Sequence, residues 1–198
     1  MRKRNLLTGL FLVVALMTEA AMAVSCSRCA GSVTVLARGP AGLRIEGKGS
    51  EISVEEEASA LVFRVPIAPL ETGIGLRDAH MRKLLEAEKY PAATLRISRS
   101  ELTFPAERQP SEGAVDADFT LHGQSHPVKV RYHAELASGG ITKVRGSFEL
   151  DLRDYDIQAP SYLGVSVAPK VEVKAELAVT GQGTRPPPLS DAQVLPGR

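Results

Sequence analysis

Between Gly31 and Thr180, apolar and polar residues alternate one for one, and that period restricts what the chain can fold into. Val171, Val173, Ala175, Leu177 and Val179 are interleaved with Lys170, Glu172, Lys174 and Glu176. The same alternation runs through Val128–Leu136, Val144–Leu152, Val115–Leu121 and Leu61–Val65. Shorter pieces cover Val33–Ala37, Leu43–Gly47, Ile52–Val54 and Ala93–Ile97. Successive side chains of a strand point to opposite faces, so each run predicts a strand with one apolar and one wet face. That pattern belongs to antiparallel sheets with one solvated side, not to parallel sheets covered by helices. Arg38–Gly42, Gly47–Ser50, Gly123–Ser125 and Ser138–Gly140 supply turn chemistry between runs. About nine strands are expected, and closing them into a barrel removes the exposed edges that an open sheet would leave.

One segment departs from the period. Arg77–Glu88 is built of helix formers, carries Asp78 in its first turn and runs into Tyr90-Pro91, a helix stop. The expected fold class is therefore all-β: an extended antiparallel barrel with one short helix inserted.

The ends of the chain read differently. Arg2, Lys3 and Arg4 precede an apolar run from Leu6 to Met17, and Ala21-Met22-Ala23 offers small residues for cleavage. This is the layout of a signal peptide over 1–23, and the run is shorter than the roughly 20 residues a membrane-spanning helix needs. Residues 24–31 read as a flexible stub carrying Cys26-Ser-Arg-Cys29, residues 32–180 as the barrel domain, and 181–198, with Pro186-Pro187-Pro188, as a disordered tail. The leader holds three of the 24 basic and one of the 23 acidic residues, leaving 21 against 22 and a net charge of −1. No basic face for nucleic acid is expected, and no later segment is apolar and long enough to span a membrane.

The two cysteines admit several chemistries. A c-type haem site would need His after the second Cys, where Ala30 stands; a zinc site would need further ligands at a useful spacing. A Cys26–Cys29 disulfide, formed in an oxidising compartment, is preferred over lipid attachment at Cys26. No metal or cofactor is expected. Asp78, His80, His122 and His126 are the acid–base candidates. Gly123-Gln124-Ser125-His126 lacks the second glycine and the strand-to-helix context of a nucleophile elbow. With no converging nucleophile and base, the expectation is a binding protein and not an enzyme.

Three motifs carry a resemblance. Thr72-Gly73-Ile74-Gly75-Leu76-Arg77-Asp78-Ala79-His80-Met81 with Lys89-Tyr90-Pro91, then Leu121-His122-Gly123 through His126-Pro127-Val128, then Gly146-Ser147-Phe148 through Asp154-Tyr155-Asp156-Ile157, follow one another in the order and spacing of the YceI-like proteins. The chain resembles that family over about residues 60–180. The resemblance implies a lipocalin-like barrel in the bacterial periplasm that holds a long apolar chain, such as a polyisoprenoid, a quinone tail or a fatty-acyl amide. Gly31-Ser32 stands where the family's opening strand carries His-Ser, and the first hairpins, Ser32–Val54, read as shortened.

On this reading the inward faces line an elongated cavity formed by Leu61, Phe63, Val65, Phe119, Leu121, Val130, Tyr132, Phe148, Leu150 and Val173. Small inward residues (Ala93, Ala117, Ala134, Gly146, Ala175) and the absence of Trp leave room inside. The helix is expected near the mouth, with Arg77, His80 and Tyr132 as candidates to meet a head group. The partner is then an isoprenoid or acyl lipid, with a homodimer left open as the assembly. The alternative is a packed barrel that acts through its surface or its thiols, since alternation alone does not separate a packed core from a lined pocket.

Overall fold

The computed structural model describes residues 26–57, 59–138, 141–162 and 165–180. The expected leader and the Pro-rich tail from 181 lie outside the described residues. Eight long strands form the barrel: β1 (Cys26–Arg38), β2 (Arg44–Glu57), β3 (Ala60–Pro66), β4 (Ala92–Ser98), β5 (Ser111–Leu121), β6 (Gln124–Ala137), β7 (Ile141–Asp151) and β10 (Lys170–Thr180). Two two-residue strands, β8 (Ser161–Tyr162) and β9 (Val165–Ser166), form a small ribbon outside it. The barrel closes in the order β1-β10-β7-β6-β5-β4-β3-β2, every neighbouring pair antiparallel.

Eight strands stand where nine runs were expected, because Leu43–Gly47 and Ile52–Val54 belong to one strand, β2. Gly47-Lys48-Gly49-Ser50 is therefore not a turn. Gly49 makes room: a Cβ there would lie 2.7 Å from Leu70 Cδ2, whereas one at Gly47 would meet only ordinary contacts at 3.9 Å, with Val35 Cβ and the Met81 sulfur. Glycine inside a strand marks such close approach. The first hairpin accordingly pairs a 13-residue strand with a 14-residue one.

The N-terminal side is also extended. Residues 26–31 do not form a stub; β1 starts at Cys26, and Cys29 is buried against Val54, Leu177 and Val179. The register against β2 shifts between Cys26 and Cys29, three residues of β1 facing two of β2. Such a bulge lets a strand bend and continue.

Helix α1 spans Gly75–Leu84, ending earlier than the expected Glu88. Glu86 takes a left-handed φ of 44°, and the amides of Glu86 and Ala87 donate back to the carbonyls of Lys83 and Arg82. This is a Schellman closure with Glu where glycine is usual, so no stop signal is legible at that position.

Because neighbouring strands run antiparallel, the connections alternate between the two ends of the barrel. One end gathers the β1–β2 turn, the β3–β4 connection with α1, the β5–β6 turn and the β7–β10 connection. The other gathers Cys26, Thr180 and the β2–β3, β4–β5 and β6–β7 connections. The first end is packed shut. Ile67 and Tyr155, each 1% exposed, join Leu70, Ile157, Leu121, Leu150 and Val171, with Met81, Leu84 and Leu85 of the helix segment packed against them.

Candidate functional site

The other half of the barrel is hollow. An apolar cavity of about 180 Å³ runs inward from the end that carries the β4–β5 connection. It is lined from seven barrel strands by the inward faces that the alternation predicts, and β5 adds Phe119. All four phenylalanines among the described residues reach it: Phe104 at the mouth, Phe63 on the wall, Phe119 and Phe148 at the inner end. No charged side chain lines it; its polar members are Thr103, Thr142 and Tyr132. A space of this order lined by Leu, Ile and Phe excludes water and accepts apolar molecules.

Eight of the residues singled out from the sequence line this space: Leu61, Phe63, Val65, Phe119, Val130, Tyr132, Phe148 and Val173. Leu121 and Leu150 do not. They share the inward face but lie one pleat deeper, in the packed half around Tyr155. The wall also includes Val33, Ile52, Val54, Val144, Leu177 and Val179, which the same alternation marks. Leu102-Thr103-Phe104-Pro105 was not legible, because that segment has no period. Its backbone is held at the mouth by the Thr103 amide, which donates to the Tyr132 hydroxyl at 3.0 Å. Arg99 stacks its guanidinium 4.6 Å from the Phe104 ring and pairs with Glu56 at 2.8 Å.

The helix is at the closed end, not at the mouth. The reason is the alternation of connections: β3–β4 crosses at the end opposite the termini. Neither Arg77 nor His80 lines the cavity, and His80 is exposed. Tyr132, by contrast, stands in the wall with its hydroxyl at the 102–105 segment.

The motif residues have structural partners at the closed end. Buried Asp78 accepts from the amide and hydroxyl of Thr72, at 2.7 and 2.5 Å, and these bonds hold its carboxyl below the ordinary carboxylate range. The loop before α1 is thereby tied to its first turn. His122 and Gly123 form the two-residue β5–β6 turn with φ of 52° and 77°, as a type I′ hairpin requires. Tyr90 covers that turn: its ring stands 5.1 Å from His122, and a Cβ at Gly123 would come within 2.6 Å of it. The His122 Nδ1 lies 3.0 Å from the Tyr155 carbonyl, and Gln124 donates to Asp156 at 3.1 Å. The Tyr155 ring meets Phe119 and His126 edge-on. Burial pushes the Tyr155 hydroxyl up to about 12, and that oxygen has no hydrogen-bond partner among the described residues. The three motifs thus converge to close one end of the barrel. They do not line the cavity, apart from Gly146 and Phe148.

Cys26 and Cys29 are joined as a disulfide across the β1 bulge. Cys29 packs behind Val54, Leu177 and Val179, which form the wall near the mouth. Among the described residues no group of three or more His, Cys, Asp or Glu is placed to hold a metal, and no helix is long and apolar enough to cross a membrane.

Comparison with known proteins bears on the fold. A family model described as "YceI-like domain" matches residues 30–179. A UPF0312 protein of Vibrio cholerae is 27% identical over 136 residues, covering 63% of this chain and 68% of the relative. Two solved structures share the architecture. A polyisoprenoid binding domain from Saccharophagus degradans, implicated in plant cell wall breakdown, has a TM-score of 0.68 at 16% identity, over 81% of this chain and 99% of its own. BcnA of Burkholderia cenocepacia has a TM-score of 0.60 at 18% identity, over 76% and 96%.

Proposed function

This chain belongs to the YceI-like domain family, and from that premise we propose that it is an exported binding protein that holds the apolar chain of an amphiphile inside its barrel. One observation carries the reading: half of the barrel interior is an open apolar cavity with no charged lining, and its polar groups include Thr103 and Tyr132 beside the mouth. Each methylene withdrawn from water into such a space contributes about 0.8 kcal/mol, so a chain binds without any specific polar contact. The head group then stays at the mouth, by Tyr132, Thr103 and Thr142, and not at Arg77 or His80.

The class of ligand follows from the lining. An uncharged wall takes the hydrocarbon part of an amphiphile and leaves any charge at the mouth, because an ion drawn into it would lose its hydration without a partner. The description of the Saccharophagus degradans neighbour as a polyisoprenoid binding domain agrees with an isoprenoid or acyl chain. The leader-like segment and the Cys26–Cys29 disulfide support action in the periplasm, where disulfides persist. Binding rather than catalysis is supported by the placement of the acid–base candidates. Asp78 is held by Thr72, His80 is exposed, His122 is held against the Tyr155 carbonyl, and His126 meets the Tyr155 ring edge-on.

The test is titration of delipidated protein with a fluorescent prenyl or acyl probe. Saturable uptake that neutral long-chain amphiphiles reverse is expected. Absence of any uptake would reject the reading in favour of a protein acting through its surface.

A further inference from the structure

The cavity does not run the length of the barrel, and what stops it is specific. On β7 the lining extends from Thr142 to Phe148, and on β10 from Val179 to Val173. Phe119 and Phe148 are the innermost lining residues of their strands, and the next inward positions, Leu121 and Leu150, are buried in the packed half. The two rings lie against each other, centroids 4.9 Å apart, and Tyr155 backs Phe119 at 5.8 Å. Just above them the wall is made of residues with little or no side chain, Gly146 and Ala175, which face each other across β7 and β10. The space is therefore wide above the rings and ends on them.

Resting on the binding function proposed above, we propose that the Phe119–Phe148 pair is a floor that sets the length of chain the barrel accepts. Six residues of strand at about 3.3 Å each, tilted roughly 40° to the axis, give a depth of about 15 Å. Carbon–carbon bonds of about 1.52 Å at about 111° advance roughly 1.25 Å per carbon. The chamber thus takes about twelve carbons in extended form, and a longer chain leaves its remainder outside the mouth. Affinity rises with each carbon buried and stops rising when the end of the chain meets the rings. The floor also explains why aromatic residues, scarce in this chain, stand at that level: two tilted rings, with the edge-on ring of Tyr155 behind Phe119, seal a wide barrel that aliphatic side chains of two strands would leave open.

The experiment is a chain-length series. Neutral 1-alkanols of six to sixteen carbons are measured by displacement of N-phenyl-1-naphthylamine from delipidated protein. The wild type is expected to gain roughly fourfold in affinity per methylene up to about twelve carbons and then to level off. Phe148→Ala and Phe119→Ala move the break to longer chains by about four carbons, roughly one ring-to-ring spacing. Ala175→Leu, which fills space above the rings and does not depend on tolerating a lost core ring, moves it to shorter chains. A series that climbs through sixteen carbons without a break, or a break that Phe148→Ala and Ala175→Leu both leave in place, would overturn the floor while leaving the binding function standing. No displacement by any alkanol, with no uptake of the naphthylamine, would overturn both.

Discussion

Gly146→Leu separates a hollow barrel from a packed one by the sign of a stability change. Gly146 lies on the inward face of β7 with an ordinary strand backbone, and it lines the cavity. A Cβ built there meets nothing closer than 3.9 Å, the Arg131 carbonyl oxygen and Val130 Cγ1. The rest of a leucine side chain would enter the cavity. Burying it contributes about 1.5–3 kcal/mol, and relieving the strand of a glycine adds roughly 0.5–1 kcal/mol. Allowing for incomplete fit, the delipidated variant gains about 2 kcal/mol, a rise in Tm of about 4–8 °C at 2–4 °C per kcal/mol for a domain of this size. In a packed core the same substitution would cost about 1–3 kcal/mol through displaced side chains. Thermal unfolding of the two delipidated proteins, with probe uptake measured in parallel, decides between them. The cavity account requires a raised Tm together with weakened uptake. A lowered Tm, or uptake equal to the wild type, would refute it.

Other expectations follow from the closed end and the disulfide. Tyr155→Phe removes a buried hydroxyl that has no partner among the described residues, so it stabilises by about 1 kcal/mol, read as a higher Tm at pH 7. The wild type also loses stability as pH rises from 10 towards 12: the unfolded chain releases the Tyr155 proton near 10 and the folded protein only at about 12. The variant shows a shallower alkaline loss, and identical alkaline profiles would contradict the assignment. Replacing Cys26 by Ser and Cys29 by Ala opens a four-residue loop and costs about 2 kcal/mol by loop entropy. The matching check is a fall in Tm that the reduced wild type reproduces; an unchanged Tm in both would mean that the bond does not constrain the fold.

Much of this architecture was legible because a strand's two faces are written in a period of two. Val173, Val130 and Phe148 could be assigned to the interior with no knowledge of their neighbours. Alternation reports a face, however, and not a depth. Leu121 and Leu150 sit on the same face as Phe119 and Phe148, and it is Ile67, Leu70, the helix side chains and the Leu152–Ile157 segment, which brings Tyr155 under the rings, that put them in packed core. That segment has no period to read. The mouth is equally silent, since Leu102–Pro105 owes its place to a hydrogen bond with Tyr132 and to Arg99. The glycines of β2 misled for a different reason. Gly47 and Gly49 carry turn chemistry locally, but Gly49 is needed for the approach of Leu70, a contact made only once the barrel has closed. The helix, expected near the mouth, lies at the closed end because the end at which a connection crosses an antiparallel barrel is set by counting strands, and β3–β4 crosses opposite the termini.

The central claim is that the barrel carries an apolar chain, and native mass spectrometry with organic extraction tests it most directly, on protein purified from its own host. A bound neutral prenyl or acyl amphiphile, released on extraction and lost in Gly146→Leu, is the predicted result. Protein that is empty from the host, and stays empty when offered neutral prenyl and acyl amphiphiles, would contradict it.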